Sequence, residues 1–284
     1  MKHSTQKETF VIERNNHLPI VGDVTYTPSE NPLPVVVFCH GYKGFKDWGA
    51  WNLIAEAFAQ AGYFFLKFNF SHNGGTVEQP IDFPDLEAFS KDNFSQQLTD
   101  VDDVLNYTLE HPSWKDKINA SSVSLIGHSR GGAIALIKAQ EDTRISKLIT
   151  WAGISDIGYR FPKGEKLEAW KNEGVYYVEN KRTLQQMPHL YQFYEDFIAH
   201  QERFHLKSVL KKLEKPYLII HGTSDDTVSN YEAETLFNHA NQPKMKWIAN
   251  ANHVFGASHP WSENTLPEAS CKLVSESVAF LKND

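Results

Sequence analysis

Ser129 stands in Gly127-His128-Ser129-Arg130-Gly131, directly after the apolar run VSLIG (123–127) and before the helix-forming stretch GAIALIKAQ (132–140). Small residues on both sides of a serine let a strand turn sharply into a helix, which lifts the hydroxyl clear of the backbone. The new helix also turns its positive end toward that point, which favours developing negative charge. A serine hydroxyl attacks a carbonyl only when a base takes its proton, and the base must be oriented. Two neighbouring carboxylates, Asp225 and Asp226, follow the apolar run YLIIHG (217–222). His253 follows KMKWIAN (244–250) and lies 28 positions after Asp225, room for one helix and one strand. His259 is a rival six residues on. An acyl-transfer transition state also needs donors for its oxyanion. In VVVFCHGYKGFKDW (35–48), Gly41 lets the chain turn so that the Tyr42 amide aims at the site, and the Arg130 amide supplies a second donor.

These residues require elements to hold them. The first 30 residues alternate weakly on either side of a polar NNHLP, which predicts a β-hairpin. VVVFC (35–39) reads as a buried strand, WNLIAEAFAQAG (51–62) as a helix closed by Gly62, and YFFLKFNF (63–70) as the next strand. Residues 71–93 read as a long polar loop, and 94–110 as a helix with apolar residues at Leu98, Val101, Val104, Leu105 and Leu109. VSLIG, GAIALIKAQ and ISKLITWAG (145–153) continue the strand–helix–strand rhythm. It breaks at 155–212, a segment dense in aromatics whose Leu184, Met187, Leu190, Tyr191, Tyr194, Phe197 and Ile198 recur at helical spacing; that stripe reads first as core. The rhythm resumes with strands at 217–222 and 244–250, a helix near 230–240 and another over about 266–281. Alternation of this kind predicts a mostly parallel sheet covered by helices on both faces, with the site beyond the carboxyl ends of the strands.

Composition narrows the function. A chain of 284 residues with 41% hydrophobic and 22% charged residues is of ordinary globular make-up, expected here as one α/β domain with one insertion. A net charge of −7 leaves no basic footprint for nucleic acid. The opening MKHSTQKETF has no apolar stretch, so neither a signal peptide nor a membrane span is expected, and a cytoplasmic location is. Two cysteines, Cys39 and Cys271, make no disulfide framework. No His or carboxylate set has metal-ligand spacing and no glycine-rich phosphate loop appears, so no cofactor is expected.

Together the segments resemble the α/β-hydrolase superfamily from about residue 20 onward. The likeness is greatest to its bacterial esterase, dienelactone-hydrolase-like and serine-aminopeptidase-like branch, including cinnamoyl and feruloyl esterases. The matching residues are His40-Gly41, Gly127 to Gly132, His221-Gly222-Thr223-Ser224-Asp225-Asp226-Thr227-Val228 and Asn252-His253-Val254-Phe255. Aligning the acid turn selects Asp225 over Asp226. The resemblance implies a Ser129–His253–Asp225 triad, oxyanion donors at Tyr42 and Arg130, packing or hydrogen-bonding roles for His40, His128 and His221, and a helical cap over the pocket at 155–212. Dienelactone hydrolases proper carry a cysteine nucleophile where this chain has Ser129, and Asn250 stands where the branch often has glycine. The expected function is hydrolysis of a small to medium carboxylic ester through an acyl-enzyme. Thioester or aminopeptidase chemistry with the same triad remains open, with the acidic residues of 165–202 as a possible amino-terminus site. So does a non-catalytic ligand-binding protein on the same fold. The oligomeric state is not legible.

Overall fold

The computed structural model describes residues 4–283. Strands β1 (Gln6–Ile12) and β2 (Ile20–Tyr26) form the expected antiparallel hairpin. Then come β3 (Leu33–Cys39), α1 (Trp51–Gln60), β4 (Phe64–Phe68), α2 (Leu86–Ser90), α3 (Phe94–Glu110), β5 (Ile118–His128), α4 (Arg130–Glu141) and β6 (Ile145–Trp151). Next are α5 (Glu165–Glu173), β7 (Val175–Glu179), β8 (Gln186–Leu190), α6 (Gln192–Ala199) and α7 (Leu206–Lys212). The chain returns to the sheet as β9 (Tyr217–Gly222), α8 (Asn230–His239), β10 (Lys244–Ile248) and α9 (Glu268–Lys282).

The eight-stranded sheet has the order β1-β2-β4-β3-β5-β6-β9-β10. Only the contacts of β2 with β1 and β4 are antiparallel; every later pairing is parallel. Parallel strands covered on both faces need apolar residues at successive positions rather than alternate ones. Thus β3 sends Val35, Val37 and Cys39 into the core under α3 and α4, and Val36 and Phe38 into the core under α1 and α9. From β3 the chain steps to β4 on one side and later crosses to β5 on the other. Such a reversal opens a crevice beyond the carboxyl ends of β3 and β5, where ligands bind in open α/β sheets.

Two expectations need correction. The helical reading of residues 184–198 fails in its first half, because Met187 and Leu190 lie in β8, which pairs antiparallel with β7. Pro188 explains this: it lacks an amide donor and breaks a helix interior, yet is tolerated in a two-stranded edge. The insertion is therefore mixed, a β-hairpin between helices, rather than purely helical. The 71–93 loop also contains α2, which is N-capped by the Asp85 carboxylate accepting the Ala88 amide.

Candidate active site

At the end of β5, Ser129 takes φ +56° and ψ −121°, a backbone state that side-chain-bearing residues rarely adopt. The turn closes because its neighbours lack side chains. A Cβ on Gly131 would lie 2.3 Å from the Cys39 carbonyl oxygen, and one on Gly127 would lie 2.3 Å from that of Gly131. Helix α4 begins at Arg130, so the first amides of the helix have no partner within it.

After β3, Gly41 packs directly on the Ser129 turn, where a Cβ would sit 3.0 Å from Ser129 Cβ. The Tyr42 amide, next along, donates to no backbone or side-chain acceptor among the described residues. His40 fixes this turn by donating from Nδ1 to the Gly41 carbonyl (2.9 Å) and accepting the Phe70 amide at Nε2 (3.3 Å). Burial pushes its pKa down to about 4, so it stays neutral and keeps both bonds. Beyond the turn lies a buried ion quartet that sequence patterning does not reveal. Lys67 of β4 contacts Asp23 of β2 (2.7 Å) and Asp47 (2.6 Å), and Lys46 reaches Asp23 (2.8 Å) and Asp47.

Asp225 follows β9, and its Oδ2 accepts from His253 Nδ1 at 2.8 Å. Its Oδ1 accepts the Thr227 and Val228 amides, each at 2.9 Å, and His221 Nε2 lies 3.3 Å from Oδ2. Burial alone would raise this carboxyl's pKa, but the donors from His221 and His253 outweigh it and hold it well below the usual range. Asp226 is exposed and accepts only the Thr227 hydroxyl. His128 donates from Nε2 to the His253 carbonyl (2.9 Å), fixing the backbone at His253; burial pushes its own pKa down to about 3. His259 accepts the Gly49 amide at Nδ1 (2.9 Å) and packs against Phe45 and Trp48, outside this arrangement.

Ser129 and His253 open on one cavity of about 570 Å³. Its far walls come from 155–212, including Arg160, Phe161, Trp170, Tyr176, His189 and Phe193. Phe161, Trp170 and Phe193 also belong to the main core, so part of the aromatic stripe is both core and cavity wall. The tyrosine hydroxyl of Tyr42 bonds His189 Nε2 (2.7 Å), and Lys43 donates to the Glu179 carbonyl (3.2 Å), tying this segment to the turn after β3. Arg130, placed in the sequence reading for its amide alone, also lines the cavity, together with Lys43, Arg160 and Lys166; no Asp or Glu does among the described residues. A second cavity of about 480 Å³ shares Phe161 and Pro162 but touches neither Ser129 nor His253. Among the described residues no cluster of three or more His, Cys, Asp or Glu is placed to hold a metal ion, and no helix is long and apolar enough to cross a membrane.

Known proteins of the same build are numerous. The chain is similar to the crystal structure of a putative hydrolase from Agrobacterium vitis S4 (TM-score 0.73, 17% identity, covering 99% of this chain and 100% of that one). It is also similar to the esterase domain of a Rhodothermus marinus protein (TM-score 0.63, 20% identity, 97% of each chain). A curated relative, the quorum-quenching protein AidA of Acinetobacter baumannii (strain MDR-ZJ06), is 28% identical over 132 residues. That match takes in 46% of this chain and 39% of the relative. The family model of the alpha/beta hydrolases matches residues 36–263, so the chain belongs to the alpha/beta hydrolase family.

Proposed function

We propose that the chain is a serine hydrolase that cleaves a carboxylic ester through an acyl-enzyme. The observation that carries this reading is that Ser129, on its strained turn, and His253, hydrogen-bonded to Asp225, line one cavity. In the first half-reaction the Ser129 oxygen attacks the ester carbonyl while His253 Nε2 takes its proton. The tetrahedral oxyanion is held by the Tyr42 and Arg130 amides, and the same proton passes to the departing alcohol. In the second half His253 takes a proton from water, the hydroxide opens the acyl-enzyme, and the acid leaves with Ser129 restored. Asp225 keeps the imidazole oriented and stabilises its cationic form. No cofactor enters the scheme. Residues 155–212 serve as the cap that walls the acyl and alcohol groups from water. The esterase activity named for the Rhodothermus neighbour is consistent with this reading. An aminopeptidase needs an anionic group for the substrate's ammonium, and the cationic lining argues against one.

The test is turnover of p-nitrophenyl acetate, butyrate and octanoate by the purified protein and by Ser129→Ala, with an aminoacyl p-nitroanilide alongside. Ester hydrolysis that is lost in Ser129→Ala, with the anilide untouched, is expected. A wild type silent on every ester and unlabelled by a fluorophosphonate would sink the proposal in favour of a binding protein on this fold.

A further inference from the structure

The cavity holds charge that the proposed acyl transfer does not use. Lys43, Arg130, Arg160 and Lys166 line it, and no carboxylate does among the described residues. Arg160 is neutralised by an ion pair with Glu232. Arg130 is not. Its side chain is only 15% exposed, yet none of its five guanidinium N–H donors makes a hydrogen bond among the described residues. The nearest acid, Asp92, stands 3.7 Å away, beyond hydrogen-bonding reach, and does not line the cavity. Asp92 is itself a weak counterion. Burial pushes its pKa up to about 7, against the pull of Arg130, and one of its oxygens has no partner. A guanidinium kept from water and from other acceptors costs free energy unless something completes its bonds.

The shape of the gap says what that something is. The guanidinium lies 4.1 Å over the Tyr42 ring, with the rings of Phe193 (5.3 Å) and Phe94 (5.6 Å) also around it. The rings offer the guanidinium no hydrogen-bond acceptor, and a guanidinium binds acceptors through its in-plane N–H edge. That edge matches a planar, two-oxygen acceptor. The guanidinium belongs to the residue next to Ser129 in sequence, and both line the cavity in which a substrate would be seated for attack. Resting on the ester-hydrolase reading, we infer that Arg130 is an anion receptor and that the natural substrate is an ester bearing a free carboxylate, bound through the Arg130 guanidinium. Lys43 and Lys166 add a long-range positive field at the cavity wall that favours entry of the anion. The arrangement discriminates against neutral esters of equal size, because they leave the buried guanidinium without a hydrogen-bond acceptor.

The experiment compares matched esters. Monomethyl glutarate against methyl pentanoate puts the carboxylate on the acyl side, and 4-acetoxybutanoate against butyl acetate puts it on the alcohol side. Acid release is followed at low and high salt for wild type, Arg130→Lys and Arg130→Met. In at least one pair kcat/KM should favour the anionic ester by about tenfold or more, which is roughly 1.4 kcal/mol. The preference should shrink at high salt. Arg130→Met should bring the ratio to about one or below, and Arg130→Lys should keep part of it. Because the ratio is taken within each protein, a general loss of activity in a variant does not disturb it. If Arg130→Met fails to fold, the salt dependence of the wild-type ratio is the readout. Turnover of neutral esters with no anionic preference in either pair overturns the inference and leaves the ester-hydrolase reading standing. If no ester is turned over, that reading falls, and titration of the same four compounds into Ser129→Ala decides whether the carboxylate site exists.

Discussion

Asp225 and Asp226 are adjacent, chemically identical at the side chain, and opposite in surroundings. Asp225 is buried and accepts two amides as well as His253; Asp226 faces solvent. Its depressed pKa keeps Asp225 ionised across the physiological range, as the proposed mechanism requires of the group that stabilises a cationic His253. Asparagine at this position would preserve size but remove the charge and disturb the tautomer of His253. Asp225→Asn should therefore lower kcat on p-nitrophenyl butyrate by roughly 10³- to 10⁴-fold, the magnitude typical of a lost triad carboxylate. Asp226→Asn should stay within about twofold, as expected for an exposed surface change. Equal losses in both variants, or none in Asp225→Asn, would remove the orienting role. The positions of Ser129 and His253 after strands β5 and β10 were legible in the sequence because each sits in a local strand–turn pattern. Spacing could not separate Asp225 from Asp226, since a one-residue difference is decided by the path of the turn; only the family resemblance favoured the first. The guanidinium of Arg130 was invisible for another reason. Its surroundings come from Tyr42, Phe94 and Phe193, which are far from it in sequence.

At the scale of elements, the strands and helices of the sheet were readable because burial on both faces imposes continuous apolar runs on β3, β5 and β9. The insertion was not. Its apolar spacing resembled a helix, but Pro188 and the pairing of β7 with β8 decided the outcome. Lys67 was concealed within the apolar run FFLKF, where it ends fully buried between Asp23 and Asp47. Lys46 and Asp47 belong to the turn that carries Tyr42, so the quartet anchors that turn to β2 and β4. Burial lowers the Lys67 pKa while the two carboxylates oppose that, and Asp23 is in turn held well below its usual range by Lys67 and Lys46 despite its own burial. Removing one member of a buried ion cluster strands charge in a poor solvent, at a cost of about 3–5 kcal/mol. Lys67→Met should thus lower the denaturant midpoint by that equivalent at unchanged m-value. It should also reduce kcat on any ester, because the Tyr42 amide loses its fixed position. A variant as stable as wild type would show that methionine packs there as well as the ion pairs do.

For the whole molecule, the balance of buried titratable groups sets how stability depends on pH. Burial holds His40 and His72 at about 4, and His128 and His189 at about 3, each below the ordinary imidazole value. As pH falls below that value, the unfolded chain takes up protons at these four positions while the folded chain does not, so stability drops until the folded pKa values are reached. Two carboxyls act the other way. Asp92, raised to about 7, and Asp100, raised by burial against the pull of Arg14, take up protons in the folded state first and so favour it as pH falls. Four imidazoles displaced by more than two units each outweigh these two carboxyls. A net loss of stability follows between about pH 6.5 and 4. The depressed carboxyls Asp23, Asp47 and Asp225 extend the loss to lower pH, because their contribution is present above the ordinary carboxylate range and disappears as pH falls through their folded values. Urea unfolding followed by far-ultraviolet circular dichroism should give a clearly lower midpoint at pH 4.5 than at pH 7.5. His128→Asn, which keeps a donor near the His253 carbonyl but cannot titrate, should flatten the slope between them. A midpoint that rises on acidification would mean that Asp92 and Asp100 dominate, and that the buried imidazoles are charged in the folded protein.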